Sequence, residues 1–153
     1  MAQVKTTASN SMTTERRVNA PRERVFAVWT EPEQIRKWWG GSGDVAVERA
    51  EVDLRVGGAF LLRMRGLDSG NHFQAEGTYS EVEPPARLVH SWAWTEGSPF
   101  AMEDTRVTVE FIEDGSGTIV RITHEKFPSA EIAGRHHEGW DEKLAALGDY
   151  FDA

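Results

Sequence analysis

The five histidines are the first candidates for chemistry, because an unperturbed imidazole titrates near about pH 6.5 and is also a common metal ligand. They are His72, His90, His124, His136 and His137. On a helix, the neighbours His136 and His137 would point about 100° apart, so they cannot chelate one metal together. No histidine pair has the spacing of a zinc-binding helix, and the chain contains no cysteine. The sequence therefore predicts no metal site and no thiol or disulfide chemistry.

Carboxylates that could support acid–base catalysis are abundant, but none stands out by its spacing. The candidates include Glu51, Asp53, Glu76, Glu103 and Asp104. None of them forms a recognisable general acid and base pair. There is no nucleophile-elbow motif either, so a Ser-His-Asp arrangement has no support. His124 could act as a base with a carboxylate across a cavity, but no partner is indicated, and we predict no catalytic residue and no cofactor.

Six tryptophans form the most unusual feature of the sequence. Five of them lie on elements that should meet in space: Trp38, Trp39, Trp92, Trp94 and Trp140. One interpretation is a large aromatic core, which is the usual role of buried aromatic side chains. The other is the wall of a ligand pocket, since such pockets are mostly apolar and carry a few polar groups.

Two short helices are predicted near the N-terminus, after a strand at Thr13–Asn19. Pro21 suits the first position of a helix, where its missing N–H is not needed. Val25, Phe26 and Trp29 then give that helix an apolar face.

The second of these helices is predicted over about residues 32–39. Pro32 breaks the pattern of the first helix and opens the second. Ile35, Trp38 and Trp39 lie on one side of it, and Gly40 follows its end.

Six β-strands are predicted between these helices and Phe127. Their ranges are Val45–Arg55, Ala59–Gly66, Asn71–Glu83, Arg87–Thr95, Thr105–Glu113 and Thr118–Glu125. Glycine- or proline-containing turns separate them, as hairpins require. Val107, Val109 and Phe111 alternate with polar residues, which is typical of antiparallel sheet with one buried face.

A long amphipathic helix is predicted at the C-terminus, with Ser129 as its N-cap. The stripe that should face the sheet has spacings of 4, 3, 4, 3 and 4 and comprises Ala133, His137, Trp140, Leu144, Leu147 and Phe151. Gly134 and Gly139 remove side chains that would otherwise help to fill the space beside this helix.

Composition limits the location and the partners. The chain of 153 residues suits one domain, and its net charge of −8 argues against nucleic-acid binding and against anionic membranes. No apolar run is long enough for a membrane span or a secretory signal. We expect residues 1–12 to be a disordered lead-in, residues 13–153 to be a single domain, and the location to be cytoplasmic.

Several short motifs resemble one protein family when they are taken in order. They are residues 20–26 (APRERVF), 38–40 (WWG), 53–58 (DLRVGG) and 77–79 (GTY), then Pro84-Pro85, Leu88-Val89 before Trp92, Thr123-His124, and Gly139-Trp140 before Leu144 and Leu147. This order resembles the Bet v 1-like/START-like (SRPBCC) superfamily, in the branch of the Hsp90 ATPase activator homologue C-terminal domain. The resemblance covers nearly the whole chain after residue 13.

The resemblance implies an α+β helix-grip fold. Such a fold has a curved antiparallel sheet of about seven strands around a long C-terminal helix, two short helices after the first strand, and a cavity between sheet and helix. Members of the superfamily include ligand carriers, chaperone cofactors and cyclase-like enzymes, so the fold alone does not fix the function.

Three functional hypotheses follow from these observations. The leading one is binding of an apolar or aromatic small molecule in the cavity. The second is a protein-interaction module like an Hsp90 co-chaperone, although we expect no counterpart of the separate N-terminal domain of those co-chaperones. The third is a cyclase- or hydrolase-like enzyme, which lacks an evident catalytic set. A monomer and a homodimer are both compatible with the sequence.

The expected ligand site combines apolar side chains from the sheet and the helices with one histidine. Its predicted members are Trp38, Trp39, Phe60, Trp92, Trp94, Val107, Val109, His124, Trp140 and Leu144. His124 is expected either to be the polar group of the pocket or to be a hydrogen-bonded core histidine. Trp92 and Trp94 should share one face of their strand, but Val89 and Ala93 make the other face apolar too, so the direction of the pair stays open.

Overall fold

One antiparallel sheet and three helices make up the structure, a computed structural model that describes residues 10–40, 43–96 and 105–152. In chain order the elements are β1 (Met12–Val18), α1 (Arg22–Thr30), α2 (Pro32–Trp39), β2 (Val45–Val52), β3 (Ala59–Gly66), β4 (His72–Glu83), β5 (Arg87–Glu96), β6 (Thr105–Asp114), β7 (Gly117–Glu125) and α3 (Ala130–Asp152). The seven strands are ordered β1-β7-β6-β5-β4-β3-β2. The predicted α+β helix-grip fold is confirmed, and residues 1–9 of the predicted lead-in lie outside the described residues.

Proline positions separate the two short helices. Pro32 disfavours helical geometry at the preceding residue, and Glu31 is extended, with φ −88° and ψ 122°. The chain therefore turns between α1 and α2. Trp38 Nε1 donates a hydrogen bond of 3.0 Å to the carbonyl of Val28, which ties the two helices together. This bond places the neighbouring Trp39 at the carboxyl end of α2, beside the sheet.

Irregularities in the strand pairing bend the sheet around its concave face. The register shifts between Val47 and Arg49 on β2, and twice on β4, where β4 pairs with β5. Gly77 on β4 permits a close approach, because a Cβ atom there would lie 2.0 Å from the carbonyl oxygen of Ser91 and 2.4 Å from the ring of Phe60. The concave face therefore starts beneath α2 and runs on to β7.

β2 ends three residues earlier than the sequence indicated. It stops at Val52 because the chain enters a tight turn, in which Arg55 N donates to the carbonyl of Asp53 and Gly58 N donates to the carbonyl of Arg55. Asp53 N donates to the carbonyl of Ala59 and closes the turn. Arg55 is therefore part of the β2–β3 connection and not of the strand.

The alternation predicted for β6 is present. Val107, Val109 and Phe111 are at most 1% exposed and belong to the core. The opposite face carries cross-strand ion pairs, such as Arg121 with Glu15 on β1 at 2.7 Å. One face of the sheet thus packs on the helices while the other is solvated.

Helix α3 covers the concave face of the sheet. Its N-cap is Ser129, as predicted, since Ser129 Oγ accepts a hydrogen bond from Ile132 N at 3.2 Å. Trp140, Leu144 and Leu147 are buried against the sheet. Within the described ranges, no helix combines the length and the apolar character needed to cross a membrane.

The histidine assigned to the buried stripe of α3 was wrong by one residue. The side chain of His137 is 46% exposed and lies 3.7 Å from the carboxylate of Asp141, whereas His136 is buried. Both positions lie three or four residues from Ala133 and from Trp140, so helical periodicity of 3.6 residues fits either of them. The choice is made by a tertiary contact, because Trp94 on β5 donates a hydrogen bond to His136.

We expect Leu144→Ala to lower the free energy of unfolding by about 2–5 kcal/mol, because it empties a fully buried position between helix and sheet. Urea unfolding followed by circular dichroism measures this loss. The matched control is Leu67→Ala, at a position 47% exposed, which should change the free energy by no more than about 0.5 kcal/mol. Equal effects of the two substitutions would contradict the packing of α3 described above.

Candidate functional site

A cavity of about 180 Å³ lies between α2, α3 and strands β2 to β5. It is here called the tryptophan cavity, and its lining comprises Trp39, Asp44, Val45, Met64, Phe73, Trp92, Trp94, His136, Gly139, Trp140, Glu142 and Lys143. Its lining is mostly aromatic and aliphatic, with the charged groups contributed by Asp44, Glu142 and Lys143. A buried apolar cavity of about 150 Å³ is large enough to take up benzene, so a ring-sized ligand fits this volume.

Four tryptophans form the wall of the tryptophan cavity, and their rings touch one another. Trp39 stacks on Trp92 with ring centroids 6.4 Å apart and meets Trp140 edge-on at 5.7 Å. Trp92 meets Trp94 edge-on at 5.5 Å and Trp140 at 5.4 Å. Since Trp92 contacts α3 and shares its side of β5 with Trp94, the direction that the sequence left open is inward. Val89, on the other face of β5, is buried without joining the main core.

The ten predicted site residues divide into three groups. Trp39, Trp92, Trp94 and Trp140 line the tryptophan cavity. Trp38 and Phe60 line a second, smaller void of about 30 Å³, which Trp39, Trp92 and Trp140 also border. Val107, Val109, His124 and Leu144 line neither void and belong to the packed core.

His124 is held by two hydrogen bonds and has no exposed surface. Its Nδ1 accepts from Trp140 Nε1 at 3.1 Å, and its Nε2 lies 2.6 Å from Thr105 Oγ1. The single hydroxyl proton of Thr105 is donated to the carbonyl of Trp92 at 2.8 Å, so His124 Nε2 must carry the proton that it shares with Thr105. Burial, with smaller contributions from His136 and His90, lowers the pKa of His124 to about 2. His124 is therefore a neutral, hydrogen-bonded part of the core.

His136 is the imidazole that borders the tryptophan cavity. Its Nε2 accepts from Trp94 Nε1 at 2.9 Å, and its Nδ1 donates to the carbonyl of Ile132 at 2.8 Å. Burial lowers the pKa of His136, which agrees with a neutral ring that uses both nitrogens. Sequence reasoning assigned this place to its neighbour, because the spacings to Ala133 and Trp140 fit either histidine.

Lys143 is a functional candidate that sequence reasoning missed. Only 8% of the residue is exposed, and its Nζ donates to the carbonyl of Trp39 at 3.1 Å. The ammonium lies 3.5 Å from Asp44 Oδ1 and 5.6 Å from the ring centroid of Trp39. Burial lowers the pKa of Lys143, while Asp44 acts in the opposite direction. The signal was its spacing, since position 143 continues the buried positions 136 and 140 and precedes Leu147.

Two indole nitrogens beside the tryptophan cavity lack hydrogen-bond partners. Trp39 Nε1 and Trp92 Nε1 are both buried and unpaired, whereas the nitrogens of Trp38, Trp94 and Trp140 all donate. A buried donor without an acceptor costs about 1–3 kcal/mol. Such groups are exceptions in protein interiors, and both belong to residues that line the tryptophan cavity.

The arrangement favours binding over proton transfer. Both nitrogens of His124 and of His136 are engaged, so neither ring presents a free base to the tryptophan cavity. Within the part of the chain that the structure describes, no group of three His, Asp or Glu residues is placed to hold a metal ion.

A curved antiparallel sheet closed by a C-terminal helix over an aromatic cavity defines a helix-grip protein of the START-like class. The family model described as "Activator of Hsp90 ATPase homolog 1-like protein" matches residues 19–152, and the chain belongs to this family. The resemblance seen in the sequence motifs is thereby confirmed. Comparison of the chain with curated proteins finds no match.

Solved structures from several organisms share this fold. Protein CV1439 from Chromobacterium violaceum is 24% identical, with a TM-score of 0.82, over 94% of this chain and 99% of its own. An AHSA1-like protein from Aeromonas hydrophila is 27% identical, with a TM-score of 0.76, over 93% and 92%. PFC0360w from Plasmodium falciparum, an Hsp90 activator, is 26% identical, with a TM-score of 0.65, over 88% and 90%.

Buried histidines predict loss of stability in acid. Burial lowers the pKa of His90 to about 4 and that of His124 to about 2, below the unfolded value of about 6.5. Below pH 6.5 the unfolded chain therefore binds more protons than the folded protein does. Each such histidine lowers the free energy of unfolding by up to about 1.4 kcal/mol for each unit by which the pH falls. We expect no such loss above pH 7.

Urea unfolding between pH 7 and pH 4 measures this slope, and His124→Gln should make it shallower by about one proton. His137→Gln is the matched control, because it makes the same substitution at a solvent-exposed position on α3. An identical slope in wild type and His124→Gln would contradict the conclusion that burial keeps His124 neutral in the folded protein.

Proposed function

We propose that the tryptophan cavity binds a small aromatic molecule. The observation that carries the proposal is a largely apolar space of about 180 Å³ ringed by four tryptophans. Protein interiors contain few voids larger than a water molecule, so a space of this size is a default candidate for a ligand site. Aromatic rings packed edge-on or offset against tryptophan add attraction beyond area burial.

Incomplete packing supports the same proposal. A Cβ atom at Gly139 would meet no other atom within 4 Å, so the α3 side of the cavity is open where a side chain would otherwise fill it. Gly134, the other glycine expected to leave space, is exposed and does not line the cavity. A ligand ring in the cavity would replace contacts that the protein does not make with itself.

A second candidate function is a chaperone interaction. The observation in its favour is the family match, together with the likeness to PFC0360w, an Hsp90 activator. This interaction would use an outer surface and is compatible with a filled or an empty cavity. We also propose a cytoplasmic location, which suits both functions. Both functions are compatible with a monomer and with a homodimer. His136, the imidazole that borders the cavity, uses both of its nitrogens, so it does not supply a free base for the catalytic hypothesis.

We expect toluene to bind saturably and to shift the indole N–H signals of Trp39, Trp92, Trp94 and Trp140 in ¹H–¹⁵N correlation spectra. Gly139→Leu should abolish the shifts, because the new side chain enters the open space beside the ring wall. The matched control is Gly134→Leu on the same helix, at an exposed position that also has no atom within 4 Å of a Cβ.

Both leucine variants should remain folded, since each removes a helix glycine that costs about 1 kcal/mol relative to better helix formers. Unchanged toluene binding in Gly139→Leu, or equal loss of binding in both variants, would contradict the assignment of the cavity. No saturable shift in the wild-type protein would remove the proposal itself.

The chaperone candidate predicts that addition of this protein raises the ATP turnover of purified Hsp90. A steady-state ATPase assay measures the increase, with an Hsp90 inhibitor to subtract background hydrolysis. Since the interaction uses an outer surface, Gly139→Leu should stimulate turnover as well as wild type does. Absence of stimulation at a large molar excess of the protein would set this function aside.

A further inference from the structure

We infer that the ligand is an aromatic carboxylate, with its ring among the four tryptophans and its carboxylate paired with Lys143 Nζ at the edge of the ring wall. This inference rests on the proposed function and specifies the ligand class of the same cavity. It is carried by the position of one buried ammonium group on a wall that is otherwise mostly apolar.

Lys143 is the most deeply buried charge on the cavity wall. Its side chain is 10% exposed, against 51% for Asp44, and Glu142 is exposed. The ammonium lies over the ring of Trp39, which stacks in turn on Trp92. A ring bound against Trp39 and Trp92 would therefore hold a substituent on its rim close to this cation.

Desolvation distinguishes a neutral ligand from an anionic one. Any ligand that fills the cavity removes water from the side of Lys143 that faces it, and this penalises the charged ammonium. A neutral ligand such as toluene makes no interaction with the ammonium that compensates for this penalty. A carboxylate supplies an opposite charge in a region of low dielectric, where a pair is stronger than at the surface. The buried cation therefore selects an acid over its uncharged analogue.

The ion pair between Lys143 and Asp44 does not prevent a ligand carboxylate from pairing with Lys143 instead. Asp44 Oδ1 lies 3.5 Å from Nζ and is half-exposed, so the pair is screened by water and contributes little. Nζ also donates to the carbonyl of Trp39. A ligand carboxylate would take the place of Asp44 as a partner of the ammonium, while Asp44 turns to solvent.

Asp44 and Glu142 oppose the inferred polarity and provide a test of it. Both carboxylates line the cavity and would repel an anion and attract a cation. They are nevertheless exposed and screened, whereas the field of Lys143 acts in a buried region. We therefore expect the cation to dominate, and Asp44 to weaken the binding of an acid.

Three probes of nearly the same shape separate the outcomes: toluene, benzoate and benzylamine, each titrated at pH 7.5 while the indole N–H signals are followed. We expect benzoate to bind at least about tenfold more tightly than benzylamine, as a charge-assisted hydrogen bond implies. Lys143→Met should weaken benzoate binding by about tenfold and leave toluene binding equal or stronger. Lys143→Arg, which keeps the charge, should retain a preference for benzoate.

Asp44→Asn is the second variant, and it changes an exposed side chain whose loss should not affect folding. It should tighten benzoate binding severalfold and leave toluene unchanged. Binding of toluene without any preference for benzoate, or tighter binding of benzylamine, would overturn the carboxylate inference while the proposed function stands. Failure of all three probes to bind would overturn both.

Discussion

The contact between Trp140 and the concave face of the sheet is the interaction on which the rest of the structure depends. The centroid of its indole ring lies 5.4 Å from the ring centroid of Trp92 on β5, 5.7 Å from that of Trp39 on α2 and 6.3 Å from that of Trp29 on α1. Its N–H reaches across to His124 on β7. One side chain thus fixes α3 relative to both short helices and to two strands, and the tryptophan cavity is the space left beside it.

That cavity follows from the shapes of the residues that surround it. Four large, rigid tryptophan rings meet there at edge-on and stacked angles, and the cavity is the space that they leave beside α3. The N–H groups of Trp39 and Trp92, two residues of this wall, are buried and have no acceptor. Val107 and Val109 on β6 are fully buried and border neither void, whereas Trp92 on β5 and Trp140 on α3 border both.

The fold was predictable because its signals are local and repeated. Pro21 and Pro32 define two helices, alternation defines β6 and β7, and the motifs set the order of all elements. The site was predictable only where one residue type dominates, as for Trp39, Trp92, Trp94 and Trp140. Val107 and Val109 share the concave face but belong to the packed core, because period-two alternation gives the face and not the depth of packing. His136 and Lys143 were missed because tertiary partners, Trp94 and the carbonyl of Trp39, decide their burial.

The bond from Lys143 to the carbonyl of Trp39 has a consequence for the mechanics of the cavity. Trp39 is the last residue of α2, so its carbonyl lies at the negative end of that helix's macrodipole, where a cation is stabilising. Lys143 lies on α3, so its ammonium connects the C-terminal end of α2 to the side of α3. The C-terminal end of α2 carries Trp38, which borders the smaller void, and Trp39, which borders both voids. The contact between the two helices and the positive charge on the cavity wall thus depend on the same side chain.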